Sequence, residues 1–154
     1  YMPTGPAARM GVVATICPLP PVLTPGPGSL NVQIGLAPGW RGMPLAAVAG
    51  LAAASTAAMS TMAAAQGTPG FAAAQVTGAG TMSSAITSAA GGADIRTCAT
   101  PLPATPHGPG VNITGSATVL INNLPASRMG DTMLEAIFPA NKIASGLTTC
   151  IIGG

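Results

Sequence analysis

Leu124-Pro125-Ala126-Ser127-Arg128-Met129-Gly130-Asp131 has a near-copy at the other end of the chain, Gly5-Pro6-Ala7-Ala8-Arg9-Met10-Gly11. Working outward, Cys17 is followed by eight residues (PLPPVLTP) and then Gly26-Pro27-Gly28, while Cys98 is followed by eight (ATPLPATP) and then His107-Gly108-Pro109-Gly110. Further along, Gly28-Ser29-Leu30-Asn31-Val32-Gln33-Ile34 answers Gly115-Ser116-Ala117-Thr118-Val119-Leu120-Ile121, and Gly146-Leu147-Thr148-Thr149-Cys150-Ile151-Ile152 gives the pattern a third time. Pro38-Gly39-Trp40-Arg41 stands where Pro125-Ala126-Ser127-Arg128 does, a degenerate copy that keeps the arginine. Three related units in one short chain predict pseudo-threefold symmetry.

Local chemistry agrees with small β-units at both ends. Short runs with β-branched residues are bounded by Gly, Pro and Asn, and Asn122-Asn123 suits a hairpin turn that needs positive φ. By the two-residue period of a strand, Val32 with Ile34, Val119 with Ile121 and Cys150 with Ile152 each share a face, and three such faces can meet as a narrow apolar core.

The middle differs in kind. No charged residue occurs between Arg41 and Asp94, and Ala, Ser, Thr, Met and Gly dominate. Leu45 to Gln66 is predicted helical, with Pro44 in its first turn and Gly67-Thr68-Pro69-Gly70 as its stop. A second, weaker helix is expected from Phe71 to about Ala90, interrupted at Gly78 and Gly80. Helix one reaches the roughly 20 residues of a bilayer span, yet its alanines gain little from lipid. Close packing on itself or on another protein, which small residues allow, is the favoured expectation for the hairpin.

GPAARMG, the Cys-x8-HGPG stretch, GSATVLINNLPASRMGDTMLEA and PANKIASGLTTCIIGG together resemble the PAAR-repeat proteins, over roughly residues 3 to 42 and 91 to 154. The resemblance implies a mainly β fold, a small conical pseudo-threefold β-prism, here with an Ala-rich helical hairpin insertion. It divides the chain into a first β-unit (1–42), the insertion (43–90) and second and third β-units (91–154). It implies a spike tip that caps the trimeric spike of a contractile injection machine, such as a type VI secretion system or a phage-tail-like particle, one cap per trimer. Such a protein is no enzyme, and it stays cytoplasmic until it is assembled and exported with the spike. An effector or chaperone partner and transient membrane contact are assigned to residues 43–90.

Family members usually carry a structural Zn²⁺ near the point of the cone. The corresponding set here is Cys17, Cys98, His107 and Cys150, a Cys3His combination known for closed tetrahedral zinc sites. It departs from the family's richer use of histidine. Alternatives stay open: Cys17 and Cys98 as a disulfide, His107 as an exposed loop residue, and Cys150 as a small core residue in the place of Val32 and Val119. Arg9, Arg41 and Arg128 occupy matching places, either facing the spike or bracing the carbonyls of their own loops. Asp94 and Asp131 begin equivalent turns and are expected to cap local amides. Asp131 with Glu135 and His107 is a weak basis for a hydrolytic effector.

Composition bounds the rest. Only 5% of the 154 residues are charged and 3% aromatic, with 21 glycines and 16 prolines, where an ordinary domain carries about a quarter charged residues. That scarcity points to a surface covered by partners or made to pass through a membrane. A net charge of +2 gives no basic patch for nucleic acid, and no phosphate-binding glycine pattern is present. No charged and then apolar leader opens the chain, so a secretory signal is not expected, and Tyr1 stands first, so its start decides nothing.

Overall fold

The structure is a computed structural model that describes residues 4–11, 15, 17–101, 106–137 and 141–154. The Pro-x-x-Arg strings build a closed ring of backbone hydrogen bonds. The amide of Ala8 donates to Ser127 O (2.9 Å), that of Ser127 to Trp40 O (3.0 Å), and that of Trp40 to Ala8 O (3.1 Å). A second set runs beside it, from Met10 to Pro38 O (2.8 Å), Gly42 to Pro125 O (2.7 Å) and Met129 to Pro6 O (2.8 Å). Bridges Arg9↔Gly39, Arg41↔Ala126 and Arg128↔Ala7 complete the cycle, each arginine position pairing with the second residue of the next string. A cycle leaves no string with an unpaired edge.

Side chains alternate about this ring. Its second positions, Ala7, Gly39 and Ala126, face one way, and Ala7 and Ala126 join Ile34, Ile121 and Ile152 in one buried cluster. Gly39 has no room for a side chain, since a Cβ there would stand 3.0 Å from Ile121 Cδ1 and 3.2 Å from Ile34 Cδ1. The third positions look the other way, where Ala8 and Trp40 are buried with Leu23, Met133 and Ile143. The three equivalent isoleucines thus meet as the repeat predicts, while Val32 and Val119 lie at the rim, more exposed.

Each isoleucine ends a short strand. Strands β3 (Gln33–Ile34) and β4 (Ala37–Pro38) form one hairpin and β7 (Leu120–Ile121) and β8 (Leu124–Pro125) a second, while β1 (Gly5–Ala7) pairs antiparallel with β11 (Leu147–Ile152). The turns Gly35-Leu36 (φ 55° and 68°) and Asn122-Asn123 (φ 53° and 62°) share the double positive φ of a tight hairpin. The remaining strands, β2 (Pro25–Gly26), β5 (Ile95–Pro101), β6 (Pro106–Asn112), β9 (Thr132–Glu135) and β10 (Asn141–Lys142), make an antiparallel sheet in the order β10-β9-β6-β5-β2.

The insertion is a helical hairpin, α1 (Leu45–Ala65) and α2 (Phe71–Ala89), and it makes the fold mixed α/β rather than mainly β, with 29% helix against 34% strand among the described residues. Pro44 stands at the N-cap of α1, its missing N–H being no loss there. Gly78 and Gly80 do not interrupt α2 as expected. Gly78 lies against α1, where a Cβ would come within 3.1 Å of Met62 Sδ, so its small size serves helix contact. Leu51, Met62, Met82 and Ile86 share one buried cluster with Val111, Leu134, Ala136 and Ile137, and α2 lies against β6, which seats the hairpin on the five-stranded sheet.

The hairpin enters the fold inside one copy of a repeated turn. In Arg128-Met129-Gly130-Asp131 the Asp131 amide donates to Arg128 O (3.2 Å), and the Asp94 amide donates in the same way to Arg41 O (3.1 Å) across the whole insertion. The Asp94 carboxylate accepts from the amides of Arg41 (2.7 Å) and Gly28 (2.8 Å) and from Arg41 Nε (3.0 Å) and NH2 (2.7 Å). An Arg-x-x-Asp turn has thus been opened in its middle, with its two ends held 53 residues apart in sequence but adjacent in space.

Candidate metal centre

Strand β5 carries Arg96 and Cys98, β6 carries His107 and β9 carries Glu135, on three adjacent strands of one sheet. In register, Arg96 stands opposite Gly110, and Gly110 opposite Glu135. The glycine is required, since a Cβ at position 110 would lie 2.9 Å from Glu135 Cγ. Over that gap Glu135 Oε1 reaches Arg96 NH1 at 2.8 Å, both side chains fully buried. Register shifts between Cys98 and Pro101, and Gly108 takes φ 82°, which turns His107 to the same side as Glu135.

His107 Nδ1 lies 3.0 Å from Glu135 Oε2, and Asn141 Nδ2 donates to Glu135 Oε1 at 2.8 Å. Arg96 NH2 also donates to Cys17 O (3.2 Å), tying the Cys17 loop to the sheet. Burial lowers the pKa of Arg96 from the ordinary guanidinium value, and the charge and hydrogen bond of Glu135 oppose that shift.

Cys17 and Cys98 meet here and form a disulfide. The two sulfurs, a ring nitrogen of His107 and a carboxylate oxygen of Glu135 all lie within 4.8 Å of one another, and all four residues are buried. The Thr100 hydroxyl lies 3.2 Å from each sulfur. In a tetrahedral zinc site, bond lengths near 2.0–2.3 Å put ligand atoms about 3.3–3.8 Å apart. The group could hold a metal ion with the cysteines reduced, whereas the disulfide ties up both sulfurs.

Cys150 stands outside this group. It packs, partly buried, against the isoleucine cluster, and Glu135 completes the set in its place. Cys150→Val is expected to change stability by less than about 1 kcal/mol and to leave metal content unaltered, read by thermal denaturation and elemental analysis. Residues 102–105, in the loop between Cys98 and His107, lie outside the described residues.

The three matching arginines donate to carbonyls and carboxylates within the chain, most of them in neighbouring loops. Arg9 NH1 donates to Ile34 O (3.2 Å) and Gly35 O, and Arg41 to Asp94 and Gly28 O (NH2, 3.0 Å). Arg128 donates to Asp131 (Nε, 3.2 Å), Gly154 O (NH1, 2.5 Å) and Thr114 O (NH2, 3.2 Å). The Arg41 pKa is raised, first by its hydrogen bonds to Asp94. Asp131 sits with Arg128 and Asn112, apart from the Glu135 network, and burial raises its pKa against those hydrogen bonds. The two carboxylates that offered a weak basis for an acid couple thus belong to separate networks.

Arg96 and its pairing with Glu135 were not anticipated from the sequence. Charge scarcity was the available signal: three acidic residues among five basic ones, in a chain otherwise nearly uncharged, each require a cation when buried. Compared with known proteins, the chain matches no family model, no curated protein and no solved structure.

Proposed function

We propose that the chain is a PAAR-like spike tip, a conical cap seated on the trimeric spike of a contractile injection machine and acting mechanically, not as an enzyme. The observation that carries this reading is the cyclic bonding of three like strings, since a single chain must offer three similar faces to meet a threefold partner. Exposed apolar side chains surround the ring, Leu36 in the turn of the first hairpin with Leu30 in the bend before it, Leu120 on the second hairpin and Ile151 on β11. Leu36 is the telling one. It is 93% exposed and holds positive φ, a conformation that costs a leucine about 1 kcal/mol or more and that the matching Asn123 tolerates better.

At the far side of the ring, Cys17, Cys98, His107 and Glu135 would hold a structural metal in the reduced protein. Thiolate and imidazole donors select zinc, and the ion would supply cross-linking of the Cys17 loop to β5, β6 and β9. The protein would remain in the cytoplasm until assembly and leave with the spike.

The test is reconstitution with a trimeric spike protein. One chain per trimer is the expected mass, and Leu36→Asp should weaken association at least about tenfold, the order of losing a buried leucine contact. Three chains per trimer, or undiminished affinity, would count against the cap. An adaptor role for the hairpin is the second reading. Helix α1 is long and apolar enough to cross a membrane by length and composition and is mostly uncovered, which suits an effector, chaperone or lipid contact.

A further inference from the structure

We propose that Cys17 and Cys98 form a redox gate on metal loading, the same two sulfurs holding either each other or a metal ion and never both. The inference rests on the metal centre proposed above and adds its regulation. Three features carry it. The sulfurs are joined in the structure, yet their positions beside His107 and Glu135 are those of a donor set. The imidazole–carboxylate half stays assembled with the disulfide closed, because Glu135 is anchored independently by Arg96 and Asn141. Closing the disulfide therefore removes two donors and leaves two in place, ready for reloading.

Both cysteines are buried, so an exchanging thiol reaches them only when the Cys17 loop lifts from β5. The ties that must open are the Ala99 amide to Leu19 O (2.7 Å), the Thr97 amide to Thr24 O (2.9 Å) and the Arg96 contact to Cys17 O. A bound metal would hold that loop down and slow its own displacement. The exchange balances with a small disulfide such as oxidised glutathione. Two protein thiolates form one S–S bond and give up two electrons, the glutathione S–S bond breaks and takes them, two protons from solvent complete two glutathione thiols, and the metal leaves as M²⁺ with its charge unchanged. A dithiol reductant reverses the step. Reducing surroundings therefore load the site and oxidising surroundings empty it.

The experiment uses the full chain, reduced with a phosphine, supplied with Zn²⁺, desalted, and divided before and after oxidised glutathione. Zinc is read by elemental analysis, and free thiols by alkylation and mass measurement after unfolding. Cys150, outside the centre, serves as the internal reference thiol. The reduced sample should carry about one zinc and three alkylated cysteines, and the oxidised one less than about a tenth of a zinc and a single alkylated cysteine, at position 150. His107→Ala should keep the reversible disulfide while binding zinc at least about tenfold more weakly. Zinc retained through complete closure of the disulfide would overturn the gate, as would zinc loss with the two cysteines still reduced. Reversible closure with no zinc bound in the reduced state would instead overturn the metal centre, and the gate with it.

Discussion

Glu135→Ala is expected to destabilise the fold by about 3–5 kcal/mol, the cost of leaving a buried charge without its partner. Arg96 and Glu135 both have fully buried side chains, and the same carboxylate also engages His107 and Asn141. For a domain whose total stability lies near 5–15 kcal/mol, that is a large share. Chemical denaturation in the presence of a chelator measures the effect free of any metal. The double variant Arg96→Met/Glu135→Leu should recover only part of the loss, because it removes the unpaired charge but leaves His107 Nδ1, Asn141 Nδ2 and the Cys17 carbonyl without these partners. A single-variant cost under about 1 kcal/mol would mean that the Arg96 guanidinium finds enough solvent or carbonyl partners without the carboxylate.

Asp94→Ala should cost about 3–5 kcal/mol as well, for a different reason. Its carboxylate receives two backbone amides and two guanidinium donors, and it closes the base of the helical insertion. Hydrogen exchange should therefore quicken across α1 and α2 more than in β5 and β6. Asp131→Ala is the comparator, expected to cost about 1–3 kcal/mol. Burial holds the pKa of Asp131 above the ordinary carboxylate value. Its contribution is thus fullest below the unfolded-state pKa and declines as pH rises through the folded one. Equal losses from both substitutions, with uniform exchange, would show that the clamp at Asp94 has no special hold on the insertion.

The ring was legible because its units repeat. Ile34, Ile121 and Ile152 could be aligned from the sequence, and they meet in one cluster. The bounds of the helices were legible too, within one residue, because Pro44 and the Gly67–Gly70 stretch punctuate an otherwise uniform helix-former run. Equal spacing after Cys17 and Cys98 marked those cysteines as related, although only the fold could bring in Glu135 from β9. Cys150 stood open between a ligand, by donor count, and a small core residue, by its repeat position, and it packs beside the isoleucines as the repeat position has it. Long-range pairing of isolated charges leaves no periodic trace, so Arg96 with Glu135 could be found only by asking which cation each acid requires.

Closure of the ring also dictates how the molecule can come into being. Its bonds join the strings around residues 8, 40 and 127, and β1 pairs with β11, so the first and last parts of the chain must meet before the cycle exists. Contacts so distant in sequence are slow to form, since loop-closure entropy is lost before any of them is rewarded. Until residues 125–128 have been made, the chain has two of the three strings and hence an open gap with unpaired backbone groups. The third string of a neighbouring copy has the same shape as the missing one. Synthesis at high density therefore invites exchange of that string between copies, and the protein is a monomer only where each chain completes its own circle first.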